Sequence, residues 1–451
     1  MKKNDVTELT VVGTDKNGNG IARAADGMAV FVRNTCAGDT VRAKIIKVTK
    51  SYAVAIPEVL IQPSADRFAG GCAVSGKCGG CVFWHMTYEA ESRFKAQSID
   101  DAFERIGKLP LRLHAYHPAA TVREYRNKAV YPVGTDKDGR LISGFYAASS
   151  HRIITHEHCE IGGALFAAIR DMVLAFAMSH GIKAYDETTH TGVLRSIYLR
   201  SAADGSMVLT LILAGEFFGS PETERLFCAS IREAYPQIGS VLINVNQRDS
   251  NAVLGKAWRV LAGDGYLYDE LCGKKFRIAP ASFWQVNHAQ TEVLYGIAAR
   301  FADLKDGELL LDLYCGTGSV GLCIARPDTR LVGVEIVPEA VRDAAYNAQI
   351  NGIDAEFLCL DAASALDDER LHTLRPDVIT IDPPRKGCGT DAAAKIASLG
   401  AKRIVYISCD PATLARDLAA FELCGYHATR AEGVDMFPRT GHVETIVSLS
   451  C

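Results

Sequence analysis

Four groups of residues in this chain have the types and spacing to do chemistry. Cys409 stands in Arg403-Ile404-Val405-Tyr406-Ile407-Ser408-Cys409-Asp410-Pro411, where an apolar run reads as a buried strand and Pro411 opens a helix. A thiol at the carboxyl end of such a strand faces the ligand crevice of an open α/β sheet. The first turn of the following helix, with its free N–H groups and positive dipole end, favours the thiolate. The residues alone leave open the other usual place of a cysteine, the apolar core. Glu444, in Gly441-His442-Val443-Glu444-Thr445, starts a closing strand and is the candidate base; an edge-strand surface carboxylate is the alternative. A glycine-rich loop, Asp312-Leu313-Tyr314-Cys315-Gly316-Thr317-Gly318-Ser319-Val320-Gly321, lies between a strand and a helix. The fourth group is Cys72-x5-Cys78-x2-Cys81 in a Gly-rich stretch.

The glycine loop narrows the cofactor. Gly316 and Gly318 let the backbone turn tightly under a ligand with no Cβ in the way. Their spacing with Gly321 also fits a dinucleotide, so NAD competes here. Glu335, at the end of the next strand, could hold the two hydroxyls of a ribose in either case. Asp312 before the glycines suits a cationic ligand better than a pyrophosphate. Asp382-Pro383-Pro384-Arg385, at the end of the fourth strand, resembles the substrate-site motif of methyltransferases that act on planar nitrogen heterocycles. Together these favour S-adenosylmethionine. A cysteine and a carboxylate beside that donor suit one reaction in particular. Uracil C5 is a poor nucleophile; a thiolate adding to C6 makes an enolate whose C5 can attack the methyl sulfonium, and a base then removes the C5 proton so that the thiolate can leave.

Ser408-Cys409-Asp410-Pro411-Ala412-Thr413-Leu414-Ala415-Arg416-Asp417 and His442-Val443-Glu444-Thr445 resemble the two signatures of the RNA uracil-5-methyltransferase family. So do Ser282-Phe283-Trp284-Gln285-Val286-Asn287, Asp312–Gly318 and Asp382–Arg385, and the N-terminal region resembles the RNA-binding TRAM domain of many members. The resemblance runs through the whole chain in order. It implies Cys409 as nucleophile and Glu444 as base, with Gln285, Tyr314, Gly316, Gly318, Ser319, Glu335, Asp361 and Asp382 as cofactor or substrate contacts. Ser319 and Asp361 stand where the family often has Asn, and Trp284 where it usually has Phe. Asp410 also stands where Asn is more usual, and a carboxylate beside the thiol opposes its ionisation unless it points away. A stacked uridine exposes C5 and C6 poorly, so the target is flipped out or lies in a loop. Tyr125-Arg126-Asn127-Lys128 resembles a further family segment; Arg126 and Lys128 are either phosphate contacts or a solvated turn.

Three thiolates need a fourth partner to ligate a metal, and Cys159 is the candidate, with His85, His156 and His158 as substitutes. Spacing alone leaves iron–sulfur and zinc equal. The resemblance implies a [4Fe–4S] cluster on Cys72, Cys78, Cys81 and Cys159, with zinc second, in a structural or RNA-positioning role because methyl transfer needs no electron. It also favours ribosomal RNA, most specifically 23S, as substrate, since members acting on transfer RNA usually lack both barrel and cluster; a transfer-RNA enzyme is the alternative. From other classes, an NAD-dependent oxidoreductase and a non-catalytic RNA-binding protein remain in view. No hydride-transfer set is visible, and Cys409 together with Glu444 speaks against a decayed site.

Elements must hold these groups in place. Residues 1–60 read as a five-stranded OB-like barrel with turns at Lys16–Gly20, Asp26-Gly27 and Ala37–Asp39. They carry nine Lys/Arg against six Asp/Glu, a net +3 within a chain of net charge −4. Residues 61–270 read as a central α+β domain carrying the cysteine loop, with a helix over His85–Ile106. Residues 271–451 alternate strand and helix and predict a Rossmann-like, doubly wound α/β sheet. At 451 residues, two or three domains are expected. No apolar run spans a membrane and the N-terminus is no signal peptide, which predicts a cytoplasmic monomer with 14 cysteines free for metal or catalysis.

Overall fold

The computed structural model describes all residues, 1–451. Strands β1 (Val6–Thr14), β2 (Asn19–Arg23), β3 (Ala29–Arg33), β4 (Thr40–Val48) and β5 (Tyr52–Gln62) close into a barrel in the order β1-β2-β3-β5-β4. Alternation along these strands points Leu9, Val30, Val32, Val41, Ala43 and Ile45 inward into a small apolar core. Closure leaves no free edge, and short strands with glycine turns suffice for it.

Helix α1 (Tyr88–Ala102) follows the cysteine loop and is capped by Thr87, whose hydroxyl accepts the Ala90 N–H. It runs on through one π turn, Phe103–Gly107. Next come β6 (Ala115–His117), β7 (Lys128–Thr135), β8 (Leu141–Tyr146), β9 (Ile153–Thr155), α2 (Phe166–Ser179), β10 (Leu194–Ser201), β11 (Met207–Leu213), α3 (Pro221–Ala234), β12 (Ile238–Val245) and β13 (Ala257–Ala262). All these strands but β6 form a mixed seven-stranded sheet, β13-β12-β11-β10-β7-β8-β9. Within residues 61–270, then, two elements belong elsewhere: α1 packs on the C-terminal helices and β6 pairs with the C-terminal sheet. The cause is burial, because Ile99, Ala102 and Phe103 enter the same core as Leu414, Leu418 and Phe421.

The remaining elements are β14 (Leu267–Leu271), β15 (Lys274–Ile278), α4 (His288–Ala302), β16 (Leu309–Leu313), α5 (Ser319–Ile324), β17 (Arg330–Glu335), α6 (Pro338–Ile350), β18 (Ala355–Cys359), α7 (Ala362–Ala365), α8 (Glu369–Leu374), β19 (Val378–Ile381), α9 (Thr390–Ser398), β20 (Arg403–Ser408), α10 (Pro411–Leu423), β21 (His427–Val434) and β22 (Glu444–Ser450). Apart from the β14–β15 hairpin, the strands form the sheet β18-β17-β16-β19-β20-β22-β21-β6. It is parallel from β18 through β20, and β22 runs antiparallel between β20 and β21. Strand order reverses between β16 and β19, so the ligand crevice opens at their carboxyl ends. These central strands are buried on both faces, hence the apolar runs Leu309–Leu311 and Val378-Ile379, and the one hydroxyl among them, that of Thr380, is bonded to Asp312. No helix is long and apolar enough to cross a membrane.

Candidate active site

The floor of the crevice is set by strand register. Ser408 of β20 faces Thr445 of β22, so one step further Cys409 lies across from Glu444. Ile381 of β19 is paired with both Leu313 and Tyr406, which brings Asp382 to the same edge between Tyr314 and Ile407. Glu444 is buried, and burial, with the Asp382 charge, pushes its carboxyl up to about 8, while Arg385 acts to lower it. Asp382 is pushed up to about 7 by its enclosed setting and by Asp312. Cys409 is half-buried, and its thiol is pushed up to about 12 by burial, then by Glu444 and Asp382, against the pull of Arg385.

That thiol corrects one expectation. The first turn of α10 does not offer its N–H groups to Cys409. Asp410 caps it, accepting from Ala412 (2.9 Å) and Thr413 (3.1 Å). The carboxylate that should oppose ionisation is therefore turned toward the helix, and the helix end is already neutralised. In the free protein Cys409 is a neutral thiol, and its activation needs positive charge brought by ligands or by Arg385.

The cofactor loop turns where its glycines are. Tyr314, Gly316 and Gly318 all take left-handed backbone, with φ of 64°, 55° and 80°. At Gly316 only the backbone demands glycine, since a Cβ would meet no protein atom; the space there is crevice. At Gly321 packing demands it: a Cβ would sit 2.8 Å from the Asp312 carboxylate. Asp312 is itself buried and braces the loop, accepting the Thr380 hydroxyl (2.7 Å) and the Gly321 N–H (2.9 Å). Its acid thus serves the scaffold rather than a cationic ligand. Glu335 accepts the N–H groups of Gly316 (3.1 Å) and Val337 (2.8 Å), which fixes its carboxylate at the crevice. Asp361 caps α7, and burial, then Cys388 and Asp361, push the Tyr314 phenol up to about 12. The Ser319 hydroxyl bonds that of Tyr295 at 3.0 Å. Gln285 is held by its carbonyl, which accepts the Asn127 amide at 3.0 Å, while no protein group bonds its side-chain amide.

The segment carrying Glu444 is braced by groups the sequence did not flag. Lys95 and Glu91, one turn apart on α1, are buried and form an ion pair at 2.7 Å; Lys95 also reaches Asp435 at 2.9 Å. Arg439 is buried in left-handed backbone, gives its N–H to Glu91 (2.7 Å) and stacks its guanidinium over Trp84. Its carbonyl accepts the N–H groups of Val82 (2.8 Å) and Phe83 (3.2 Å), just after Cys81. The only sequence signal was Glu91 and Lys95 at helical i, i+4 spacing.

Cys72, Cys81 and Cys159 pack around Trp84, Tyr125 and Ile161. Burial pushes up the thiols of Cys78, Cys81 and Cys159, and each is raised further by neighbouring thiols of the set: Cys78 by Cys159 and Cys72, Cys81 by Cys159 and Cys78, Cys159 by Cys72. No three His, Cys, Asp or Glu side chains close around one point as a single ion requires. His156 stacks on Phe145 and His158 bonds Glu160, so neither stands in for a thiol. Arg126 pairs its backbone with Gly162 and Asn287, and Lys128 is half-buried with its ammonium depressed to about 8 by burial and by Arg200 and Arg126.

The profile of the tRNA (Uracil-5-)-methyltransferase family matches residues 270–451, and that of the TRAM domain matches residues 2–57. An RNA methyltransferase of Halalkalibacterium halodurans is 39% identical, over 100% of this chain and 98% of that protein. An RNA methyltransferase of Clostridium tetani is 37% identical, over 100% and 97%. Among solved structures, the Pyrococcus abyssi tRNA (uracil-54, C5)-methyltransferase in complex with S-adenosyl-L-homocysteine superposes with a TM-score of 0.77 at 21% identity, covering 98% of this chain and 100% of that one. That likeness shows a common fold.

Proposed function

The chain belongs to the S-adenosylmethionine-dependent RNA uracil-5-methyltransferase family, and from that premise we propose that it methylates C5 of a uridine in 23S ribosomal RNA through a covalent adduct on Cys409. The observation that carries the reading is the register placing Cys409 across from Glu444 on the floor of the crevice, with Asp382 beside both. S-Adenosylmethionine supplies an electrophilic methyl group. Glu335 suits the ribose hydroxyls, while Gln285, Tyr314, Gly316, Gly318, Ser319, Asp361 and Asp382 line the rest of its place. The thiol of Cys409 gives up its proton to solvent and the thiolate adds to C6 of the uracil; the electron pair released into the ring makes C5 the nucleophile that takes the methyl group, and S-adenosylhomocysteine leaves. Glu444 then accepts the C5 proton, the C6–S bond breaks, and the thiolate leaves. A carboxylate raised to about 8 is a stronger base than an ordinary one, which suits removal of a carbon-bound proton.

Cys72, Cys78, Cys81 and Cys159 hold a [4Fe–4S] cluster in this reading. The reading rests on the surroundings that Cys72, Cys81 and Cys159 share at Trp84, Tyr125 and Ile161, and on the charge effects that join Cys78 to them. It fastens the loop that meets Arg439, with no part in the methyl transfer. Anaerobically purified protein should absorb near ~400 nm and contain iron; zinc alone would overturn this assignment. Ribosomal RNA from a strain lacking the gene should lose 5-methyluridine at one or more mapped positions of the 23S molecule. Loss in transfer RNA instead would move the substrate, and loss in neither would remove the proposal.

A further inference from the structure

The turn between β1 and β2 of the barrel is stiff and seated on the catalytic rim. The Asp15 carboxylate accepts the N–H groups of Asn17 (2.9 Å) and Asn19 (2.8 Å) and the Asn19 side-chain amide (3.0 Å), and Gly18 takes a φ of 74°. Two glycines mark how closely the turn is wedged. A Cβ on Gly18 would lie 2.1 Å from the carbonyl oxygen of Val82, and one on Gly441 would lie 1.9 Å from that of Lys16. Both are backbone approaches, so no side-chain rotation would relieve them. Gly441 immediately precedes His442 in the segment that leads to Glu444.

Lys16 is thereby delivered to the mouth of the crevice. Its side chain is 73% exposed, with the ammonium 4.0 Å from Asp410, the residue after Cys409. Asp410 already serves α10, so this pair is loose. Arg385 lies on the same rim; its one side-chain partner is His442 at 3.4 Å, and no carboxylate neutralises it. Burial does most to strip the proton from His442, and Arg385, then Arg126 and last Lys16 act in the same direction, so cations from catalytic sheet, central region and barrel face one spot. Lys95 acts there too, but Glu91 and Asp435 hold it. Below the rim lie Asp382 and Glu444, acids that burial holds toward their neutral forms and that give a phosphate no counter-charge.

Taking the crevice to be the uridine site, we propose that Lys16 and Arg385 form a phosphate clamp beside Cys409, the barrel turn supplying a cation that grips the backbone phosphate of the target nucleotide while its base sits in the crevice. The barrel then does more than tether RNA. It orients the nucleotide against the nucleophile, and removing its cation should slow the step after binding.

The test is single-turnover methylation, at saturating enzyme, of an RNA fragment that the wild type methylates. Lys16→Gln, Lys16→Arg and Lys47→Gln are compared; Lys47 is exposed at the far end of the barrel from the turn. Lys16→Gln should cut the saturated rate by about 10-fold, with S-adenosylmethionine affinity and thermal melting unchanged, and Lys16→Arg should restore it to within about 2-fold. Lys47→Gln should weaken RNA binding slightly, as loss of one phosphate contact does, and leave that rate alone. A methylphosphonate at the target phosphate should slow the wild type and abolish the difference between it and Lys16→Gln. If Lys16→Gln and Lys47→Gln behave alike, if Lys16→Arg fails to rescue, or if the neutral phosphate leaves the difference intact, the clamp is wrong. If the wild type makes no 5-methyluridine in any RNA, it is the proposed function that fails.

Discussion

The floor and the rim of the crevice are built by different means. The floor is a product of strand register: Cys409, Glu444 and Asp382 each follow or begin a strand whose pairing fixes their neighbours. The rim is assembled from distant chain segments, such as Glu91 and Arg439, which are 348 positions apart, and Lys16, seated against Gly441. The floor collects carboxylates and the rim collects cations. In the proposed reaction the chemistry is placed by strand pairing and the substrate is positioned by contacts between distant segments.

Removing a floor group should cost chemistry and spare the fold. Glu444→Gln should lower turnover by at least ~10³-fold, because base removal is lost, yet it should still methylate once and accumulate the covalent RNA adduct. A variant that turns over freely would strip Glu444 of its role. Removing a rim brace should do the reverse. Arg439→Met leaves Glu91 buried with one cation fewer, and should destabilise the protein by about 3–5 kcal/mol, read by denaturant unfolding. An unchanged midpoint would mean that the brace carries no strain.

The floor's carboxylates also make a pH signature. Glu444 and Asp382 have folded-state values of about 8 and about 7, above those of the unfolded chain. Between roughly pH 4 and 8 the native state therefore holds more protons than the unfolded one, and stability falls as pH rises through that window. Glu444→Gln should flatten the fall and raise the melting temperature by several degrees at pH 8, with little change at pH 5. The opposite slope would contradict the burial of these acids. The smallest effect belongs to Asp410→Ala, which removes a cap and should cost about 1 kcal/mol of stability. Because Asp410 already faces the helix, adduct formation should change little; a large change would mean that it governs the thiol.

The same contrast explains what the sequence made legible. Strand–loop–helix order was readable from Asp312 to Gly321 and from Arg403 to Leu423 because apolar runs, glycines and Pro411 mark those borders locally. Barrel strands were readable from alternation and turn glycines. Three things were missed. Asp410 was read as a neighbour of the thiol, although an Asp directly before the Pro411 that opens the helix is also an N-cap signal. Asp312 was read as a ligand group, although both its oxygens are engaged by Thr380 and Gly321. Helix α1 and β6 were placed with the central region, because nothing in Tyr88–Ala102 or Ala115–His117 says which sheet they will join.

The central claim is that the sulfur of Cys409 bonds to C6 of a uracil ring. Incubation with S-adenosylmethionine and a substrate RNA carrying 5-fluorouridine at the target, where no C5 proton can be removed, tests it most directly. The account predicts a denaturation-resistant protein–RNA complex carrying one transferred methyl group, mapped by mass spectrometry to the peptide containing Cys409 and absent in Cys409→Ser. An adduct on another residue, or undiminished methylation of normal RNA by Cys409→Ser, would contradict it.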